Sequence, residues 1–224
     1  MLTRNRWFPL ALTGWQYWLP ILFGGCTLTA AVAILVSVGL SLVPAVVTIA
    51  CLLFFRDPVR TIPQQADVMV APADGMITEL AVVPSNYLPG ETLRVSIFLS
   101  VLDVHINRSP CAGTIQAITF EAGRFLDARH PEAAIKNQSN NLRIDTAYGP
   151  IVVRQIVGAI ARRIICPARV GDVLTRGERF GMIAFGSRTE LLISQPDRWV
   201  PCVKVGEKVR AGVTILLRHR GSTG

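Results

Sequence analysis

The sequence contains 224 residues, half of them hydrophobic, and its 23 basic and 15 acidic side chains give a formal net charge of +8. The five cysteines are odd in number and form no Cys-x-x-Cys pair, which argues against a disulfide scaffold or a zinc ribbon. The positive charge suits a surface that lies against anionic lipid headgroups. Because no aromatic residues are interleaved with the basic ones, nucleic acid is not expected as a partner, and the three scattered histidines predict no metal site.

The N-terminal quarter has the composition of a membrane segment. No charged residue occurs from Trp7 through Phe55, and all fifteen acidic residues follow this stretch. About 20 apolar residues cross a hydrocarbon core of roughly 30 Å, so the stretch is too long for one pass. Gly39 and Pro44 indicate a turn between a first helix, Leu19 to Gly39, and a shorter second leg, Leu42 to Phe55. We therefore predict an N-terminal hydrophobic helical hairpin.

Aromatic and basic residues flank this hairpin. Rings that favour the headgroup level cluster at its start: Trp7, Trp15, Tyr17 and Trp18. Arginines lie on both sides of it: Arg4, Arg6, Arg56 and Arg60. The positive-inside rule then places both ends in the cytoplasm. We predict that residues 1–60 anchor the protein in the cell membrane, by two crossings or as a re-entrant loop, with the catalytic domain on the cytoplasmic face.

Residues 61–224 predict one mostly β domain. Short apolar runs rich in β-branched residues recur between Gly, Pro and Asp turn signals. Six of these runs predict strands: Leu93–Leu99, Thr114–Phe120, Ile151–Ile160, Arg179–Phe185, Thr189–Ile193 and Val213–Leu217. Only Phe125–Asn137 has a helical pattern, and Pro131 interrupts it.

Internal repeats refine this fold class. Val170-Gly171-Asp172-Val173, followed by Gly177, resembles Val205-Gly206-Glu207-Lys208-Val209, followed by Gly212. Pro72-Ala73-Asp74-Gly75-Met76-Ile77 resembles Pro110-Cys111-Ala112-Gly113-Thr114-Ile115. Repeated glycine turns and short strands predict a compact barrel or sandwich of lipoyl-like character. A membrane-tethered lipoyl-like carrier or adaptor without catalytic activity is therefore the alternative function, although the hairpin with a modifiable lysine is not evident.

Gly186-Ser187, within Phe185-Gly186-Ser187-Arg188, is the main candidate for chemistry. In a tight turn, the Ser hydroxyl can attack the Gly carbonyl and convert the amide into an ester, from which β-elimination leaves a pyruvoyl group at the new N-terminus. A pyruvoyl carbonyl binds a substrate amine and acts as an electron sink without a separate cofactor. Most Gly-Ser pairs are ordinary turns. A serine hydrolase is a further alternative, but Phe185 and Thr189 stand where its Gly-x-Ser-x-Gly motif requires glycine.

Four motifs occur together in the order and approximate spacing of one enzyme family. They are Phe54-Phe55-Arg56-Asp57-Pro58, Pro72-Ala73-Asp74-Gly75, Phe98-Leu99-Ser100-Val101-Leu102-Asp103-Val104-His105-Ile106-Asn107-Arg108, and Phe185-Gly186-Ser187-Arg188. From Phe54 to Leu217, the chain resembles the short form of phosphatidylserine decarboxylase. The resemblance implies pyruvoyl-dependent decarboxylation of phosphatidylserine to phosphatidylethanolamine at the membrane.

The resemblance also implies maturation by self-cleavage between Gly186 and Ser187. The products are a β chain, residues 1–186, and an α chain, residues 187–224, whose first residue becomes the pyruvoyl group. We expect the two chains to remain together as a non-covalent heterodimer. The sequence leaves any higher oligomer open.

The same resemblance assigns the groups around Ser187. A serine nucleophile needs a base that a carboxylate orients, and His105 and Asp74 match the positions of the family. Longer members carry a second histidine three residues after the first, where this chain has Arg108. His105 is therefore expected to serve both self-cleavage and decarboxylation, the alternative being that water and Asp74 act alone in one step. Arg108 and Arg188 are candidates to hold the substrate carboxylate or phosphodiester, and ordinary surface charge is the alternative for both.

Overall fold

The computed structural model describes residues 10–11, 14–159, 162–184 and 186–221. Arg4, Arg6, Trp7, Ile160 and Phe185, on which some sequence-based predictions fall, lie outside these residues. The chain divides into two compact units between Val59 and Arg60.

The first unit contains the two predicted apolar helices, α1 (Trp15–Leu35) and α2 (Val38–Phe54). With 21 residues and a mean hydropathy of 1.9, α1 is long and apolar enough to cross a membrane, whereas α2 is shorter. The helices pack closely because α1 has a glycine at the contact, Gly25, where an added Cβ would overlap the side chain of Thr48. The N-terminal segment is therefore a hairpin of two helices that is suited to association with a membrane.

The turn of the hairpin differs from the predicted one. It lies between Leu35 and Val38, where the Ser37 hydroxyl accepts a hydrogen bond from the Leu40 N–H at 3.1 Å and caps α2. The predicted break at Gly39 and Pro44 is wrong, since both residues lie inside α2. A side-chain cap at Ser37 starts the helix before the glycine is reached.

The two ends of the hairpin are joined to each other. The Ala11 N–H donates to the Phe55 carbonyl at 2.7 Å, and Leu10 forms a β-bridge with Arg56. Trp18, predicted to lie at the headgroup level, is buried and donates its indole N–H to the Ala11 carbonyl at 3.0 Å. The chain therefore enters and leaves the hairpin on the same side, as two crossings or a re-entrant loop both require.

The second unit is mostly β, which confirms this part of the predicted fold class. Its strands are β1 (Val68–Val70), β2 (Gly75–Pro84), β3 (Glu91–Leu99), β4 (Ile106–Arg108), β5 (Gly113–Glu121), β6 (Ser139–Thr146), β7 (Gly149–Ile156), β8 (Arg163–Ile165), β9 (Val173–Leu174), β10 (Arg179–Ala184), β11 (Ser187–Ser194), β12 (Trp199–Pro201), β13 (Lys208–Val209) and β14 (Ile215–His219). The six predicted strands correspond to β3, β5, β7, β10, β11 and β14. A short helix, α3 (Ala133–Lys136), and a 3-10 turn, Pro196–Arg198, complete the unit.

The helix predicted over Phe125–Asn137 is wrong except for its last turn, α3. The segment instead folds as a loop around the buried side chain of Asn137. This amide accepts from the Leu126 N–H at 2.9 Å and donates to the carbonyls of Leu126, at 2.8 Å, and Val157, at 2.9 Å. Pro131 has no N–H to continue a helix, and the Asn137 bonds satisfy the loop backbone in its place.

The strands form an eight-stranded sheet of order β13-β2-β3-β11-β7-β6-β5-β9, which curls into a half-barrel, and two three-stranded sheets, β1-β14-β12 and β4-β10-β8. All eight residues of β11 are buried, and this strand pairs antiparallel with β3 on one side and β7 on the other. Along the main sheet, the faces of neighbouring residues alternate. The first residue of β11 is Ser187, so the sheet centre fixes the position of the candidate nucleophile.

The sequence repeats form equivalent structures at the two edges of the main sheet. At one edge, Gly171 donates its N–H to the Ile115 carbonyl, and the Ile115 N–H donates to Asp172. At the other edge, Gly206 donates to Ile77, and Ile77 donates to Glu207. Each turn leads into a two-residue edge strand, β9 or β13. The repeats therefore build the edges and leave the centre of the sheet to β3, β11 and β7.

Candidate active site

The Gly186-Ser187 bond lies at the entrance to β11. Gly186 has a φ of +72°, in the left-handed region that glycine adopts without steric strain. Ser187 follows directly and pairs with Leu99, the last residue of β3. The Ser187 hydroxyl is fully buried and has no hydrogen-bond partner among the described residues. A buried polar group without a hydrogen bond lowers the free energy of unfolding by about 1–3 kcal/mol. Stability therefore does not explain the buried Ser187 hydroxyl, which indicates a functional role.

Gly158, just beyond β7, lies against the carbonyl of Gly186. A Cβ on Gly158 would lie 2.5 Å from that oxygen and 3.3 Å from the Cβ of Ala128. Only glycine therefore fits beside the carbonyl that a Ser187 attack would reach. The sequence-based predictions missed Gly158, for which a glycine inside the predicted strand Ile151–Ile160 was the one available signal.

His105 contacts the residue next to the candidate nucleophile. It precedes β4, is fully buried, and its Nε2 accepts a hydrogen bond from the Gly186 N–H at 3.1 Å. An accepting Nε2 carries no proton, so in this arrangement the imidazole has a basic atom at the Gly186-Ser187 turn. The His105 carbonyl also accepts from the Ile183 N–H at 3.2 Å. The structure thus brings His105, Gly186 and Ser187 together.

Asp74 lies at the same end of the sheet but is held by other groups. Its Oδ1 accepts from the Ala211 N–H at 2.7 Å, and its Oδ2 accepts from the Arg60 guanidinium at 2.8 Å. Burial raises the pKa of Asp74 above its usual range, against the opposing effects of the Ala211 bond and the Arg60 charge. Among the described residues, its hydrogen bonds go to these two groups and not to His105. Arg60, considered from the sequence only as a flanking charge, is thus an electrostatic partner of the site.

Arg108 is buried in β4 and bonds to the protein itself. Its Nη1 donates to the Gly177 carbonyl at 3.1 Å, at one of the repeat turns. The preceding residue, Asn107, donates to the Thr189 hydroxyl at 3.1 Å and accepts from Gln155 at 2.9 Å. Asn107 therefore links β4 to β7 and to β11, two residues from Ser187.

Arg188 lies on the opposite face of β11 from Ser187, since successive strand residues alternate. Its Nη2 donates to Glu79 at 2.9 Å and to the Ser96 hydroxyl at 2.8 Å, and its Nε lies 2.9 Å from a Glu190 oxygen. Glu190, fully buried, also pairs with Arg154 at 2.6 Å. This guanidinium holds the outer face of the sheet together.

A cavity of about 340 Å³ reaches the cleavage-site turn. Its lining combines apolar and charged residues: Phe98, Ser100, Val101, Asp127, Ala128, Arg129, Ala159 and Gly186. Arg129 and Asp127 form an ion pair on its wall, with an N–O distance of 2.6 Å. The volume is at the lower end of the range, roughly 300–1,000 Å³, for small-molecule sites. None of these charged residues was predicted, because the loop from Leu126 to Asn137 brings them to Gly186 only in the folded chain.

Burial raises the pKa of Cys111 to about 12, which leaves that thiol protonated at neutral pH. No cluster of three or more His, Cys, Asp or Glu side chains that could hold a metal ion occurs among the described residues.

Comparison with known proteins decides the family. A sequence model of phosphatidylserine decarboxylase matches residues 47–217. The phosphatidylserine decarboxylase proenzyme of Ralstonia pickettii is 38% identical over 216 residues, which cover 95% of this chain and 98% of the relative. The chain belongs to the phosphatidylserine decarboxylase family. The proenzymes of Geotalea uraniireducens, 38% identical over 95% of this chain and 98% of theirs, and of Cereibacter sphaeroides, 40% identical over 87% and 84%, give the same result. Membership of a family of enzymes removes the support for a carrier or adaptor domain.

Proposed function

We propose that this member of the phosphatidylserine decarboxylase family cleaves itself between Gly186 and Ser187 and then converts phosphatidylserine to phosphatidylethanolamine. The reaction follows from the family and its proenzyme relatives. The observation that carries the choice of bond is the buried Ser187 hydroxyl, which has no hydrogen-bond partner among the described residues and directly follows a left-handed glycine.

In the proposed cleavage, the Ser187 Oγ loses its proton and attacks the Gly186 carbonyl carbon. The bond to the Ser187 nitrogen breaks and that nitrogen takes up a proton, so the amide becomes an ester. Removal of the Ser187 α-proton then expels the Gly186 carboxylate and leaves a dehydroalanine, whose imine tautomer is hydrolysed by water to the pyruvoyl group and ammonia. His105 is the proposed base, because its unprotonated Nε2 lies 3.1 Å from the Gly186 nitrogen. The Gly186 N–H must release this atom before it can accept the serine proton, and such bonds commonly rearrange in the reactive state.

Asp74 is proposed to support this turn by its charge. It is fixed by Arg60 and Ala211, and the register of β2 and β3 places Gly75 beside the Leu99 that pairs with Ser187. Arg108 and Arg188 remain predicted substrate ligands. However, the contacts of Arg188 on the opposite face favour a structural role for it.

The residues around Ser187 fit the serine-derived pyruvoyl group that proenzymes of this family carry. Once formed, this group supplies an electron sink that accepts the electron pair released as carbon dioxide leaves. The chain contributes an anchored backbone, since β11 pairs with Leu99 at this point, and a cavity that opens at Gly186. His105 is then the nearest proposed donor of the proton that replaces the carboxyl group.

The α chain is proposed to remain bound after cleavage. Residues 187–224 would contribute β11 to the centre of the main sheet, β13 to its edge beside β2, and β14 to the middle of the sheet with β1 and β12. Pairing along two sheets and full burial of β11 hold the fragment without a covalent bond.

The membrane face is also a proposal. Because both ends of the hairpin lie on the same side and Arg56 and Arg60 follow it, we place the β domain on the cytoplasmic face.

Denaturing electrophoresis and mass spectrometry of the purified protein test the proposal. Wild type should give fragments 1–186 and 187–224, the second blocked to Edman degradation, and should release carbon dioxide from phosphatidylserine. The Ser187→Ala variant should stay one inactive chain, whereas a control, Ser194→Ala, should split normally. Splitting of the Ser187→Ala variant at this bond, or an active wild type of one intact chain, would refute the proposed site.

A further inference from the structure

We infer that Arg129 binds the phosphodiester of the lipid headgroup and that Asp127 positions its guanidinium for this contact. The inference rests on the proposed function of the cavity beside Gly186. It names a substrate-binding residue that lies in none of the sequence motifs.

Arg129 is an available cation on the wall of the cavity. Its side chain is 69% exposed, whereas those of Arg188 and Arg154 are 7% and 6% exposed. The guanidinium also lies over the Phe98 ring, with 5.8 Å between the Arg129 Cζ and the ring centroid. A ligand in the cavity can therefore reach this charge without first breaking a buried ion pair.

Asp127 fixes the direction of that guanidinium. Its carboxylate accepts from the Arg129 Nε at 3.1 and 3.2 Å, from Nη2 at 2.6 Å, and from the Arg129 backbone N–H at 2.9 Å. The Nη1 group has no hydrogen bond among the described residues. The planar fork of Arg matches the paired oxygens of a phosphate, and a guanidinium that is already oriented loses less side-chain entropy on binding.

The loop that carries Arg129 is tied to the cleavage site. Asn137 bonds the loop at Leu126 and reaches the Val157 carbonyl at 2.9 Å. The next residue, Gly158, lies against the Gly186 carbonyl, and Ala128 packs beside it. These contacts fix the backbone of the loop beside Gly186, and a group that positions a substrate needs such a support.

The cavity has a charged wall and an apolar wall, which suit the charged headgroup and the glycerol of a phospholipid. Asp127 and Arg129 form the charged wall, and Phe98, Val101 and Ala128 form the apolar one. At the rim, Val101 is 45% exposed, and the adjacent Leu102 is 83% exposed. A headgroup can therefore enter with its apolar part along the Val101 side.

The change of charge during decarboxylation indicates whether Arg129 binds the carboxylate or the phosphodiester of the substrate. The carboxylate loses its charge as carbon dioxide leaves, so a cation bound to it would stabilise the ground state more than the transition state and slow the reaction. The phosphodiester keeps its charge throughout. A cation on the phosphodiester therefore gives binding energy without opposing decarboxylation.

The test uses full-length protein that has matured in detergent, with dihexanoyl phosphatidylserine as a dispersed substrate. Arg129→Gln should raise KM about 10- to 100-fold, as expected for loss of a charge-assisted hydrogen bond, while self-cleavage and kcat per mature chain change little. Arg129→Lys should recover part of the loss. The matched control is Arg198→Gln, which removes an exposed arginine from the 3-10 turn and should behave as wild type.

Inhibition separates the two anions and the source of the phosphate. O-phosphoethanolamine should inhibit wild type and lose most of its effect on Arg129→Gln, whereas serine, which lacks phosphate, should inhibit both equally. Inorganic phosphate should inhibit wild type more weakly than O-phosphoethanolamine does, because it lacks the rest of the headgroup. An unchanged KM in Arg129→Gln, a loss confined to kcat, or a loss of inhibition by serine alone would overturn the assignment. A wild type that neither splits nor releases carbon dioxide would instead refute the proposed function.

Discussion

Ser187 and Arg188 are adjacent residues of β11, but their side chains lie on opposite faces of the strand and have different polar surroundings. On the inner face, the Ser187 hydroxyl is buried with no hydrogen-bond partner among the described residues. On the outer face, Arg188 is held by Glu79, Ser96 and Glu190. Both are shielded from water, so burial alone does not distinguish a reactive group from a structural one. The difference lies in the partners: Arg188 forms ion pairs with Glu79 and Glu190, whereas the Ser187 hydroxyl has no polar partner among the described residues that would hold it back from attack.

The pKa of Glu79, a partner of Arg188, also reflects the ion pairs on the outer face. Burial raises the pKa of Glu79, but the Arg94 hydrogen bond and the charges of Arg94 and Arg188 outweigh burial and leave the pKa below its usual range. Glu79 therefore stays ionised at neutral pH and remains a partner for Arg188. Substitutions of Ser187 and of the ion-pair network around Arg188 should therefore separate chemistry from stability.

The largest effect is expected from Ser187→Ala on the inner face. Processing should be lost completely, while the thermal unfolding temperature should not fall, because the substitution removes an unsatisfied buried hydroxyl and leaves a small group in its place. Calorimetry of the unprocessed variant against a wild-type sample analysed before maturation measures this. A fall of many degrees would mean that Ser187 has a structural partner.

His105→Ala should slow self-cleavage by about 10²–10⁴-fold, the usual contribution of a positioned proton-transfer group. In the fraction that matures, decarboxylation should also fall, since this chain has Arg108 where longer relatives have a second histidine. Band splitting over time and product formed per mature chain give the two rates. His219→Ala removes an imidazole that packs on Trp199, 5.1 Å between ring centroids, and serves as the control. Normal rates in both assays would remove His105 from the site.

Glu190→Gln should do the reverse on the outer face. It removes the carboxylate that pairs with the buried Arg154 guanidinium and, among the described residues, leaves Arg188 paired with Glu79 alone. Loss of one partner of a buried ion pair typically lowers the free energy of unfolding by about 3–5 kcal/mol. Well below the unfolding temperature, processing should continue, because Ser187 is on the other face. Denaturant unfolding of this variant is compared with Glu132→Gln, which breaks an exposed pair with Lys136 and should leave stability unchanged. Loss of processing without loss of stability would show that the two faces are coupled.

The smallest effect is a pH shift from Asp74→Asn. Because the pKa of Asp74 is raised, mainly by burial, its carboxylate takes up a proton at a higher pH than an ordinary aspartate does. If the carboxylate supports cleavage, the rate should fall as the pH decreases through this raised pKa, and the variant should be slow without that acid limb. The charged groups that act on Asp74 are Arg60 and Asp103, so Arg60→Gln should move the limb to still higher pH. An identical acid limb in wild type and Asp74→Asn would assign it to another group.

Comparison of β11 with the strands around it also shows which strands could be predicted from the sequence. Six apolar runs were predicted correctly as strands, but β6 was missed because its buried positions include Asn140 and Asn141. The Asn140 and Asn141 side chains form hydrogen bonds with Gln155 and Arg154, respectively. A buried strand with polar side chains lacks the apolar pattern from which strands are predicted. The strand predicted from Thr189 begins two residues earlier, at Ser187, and this extension places Arg188 on the face opposite Ser187.

Sequence motifs named residues that lie close together but not the contacts between distant segments. The motifs named Gly186, Ser187 and His105, which the structure brings together, and their roles stay predictions. Asp74 was named too, but the Ala211 N–H that donates to it is 137 residues away, and no local sequence pattern predicts a contact over that separation. Arg129 reaches the cavity through a loop folded around Asn137 that looked helical from the sequence, so its position depended on the tertiary structure.

The central place of β11 also determines what happens to the mature protein once it is unfolded. Before the cut, β11 is part of one chain and finds β3 and β7 as a unimolecular process. In the proposed form cut between Gly186 and Ser187, the same strand would belong to a short separate peptide, so refolding would become a second-order reaction whose yield falls on dilution. The lifetime of the enzyme is then set by the rate of unfolding rather than by an equilibrium. Heat inactivation should therefore be reversible for the uncut precursor, which refolds as one chain, and irreversible for the two-chain form.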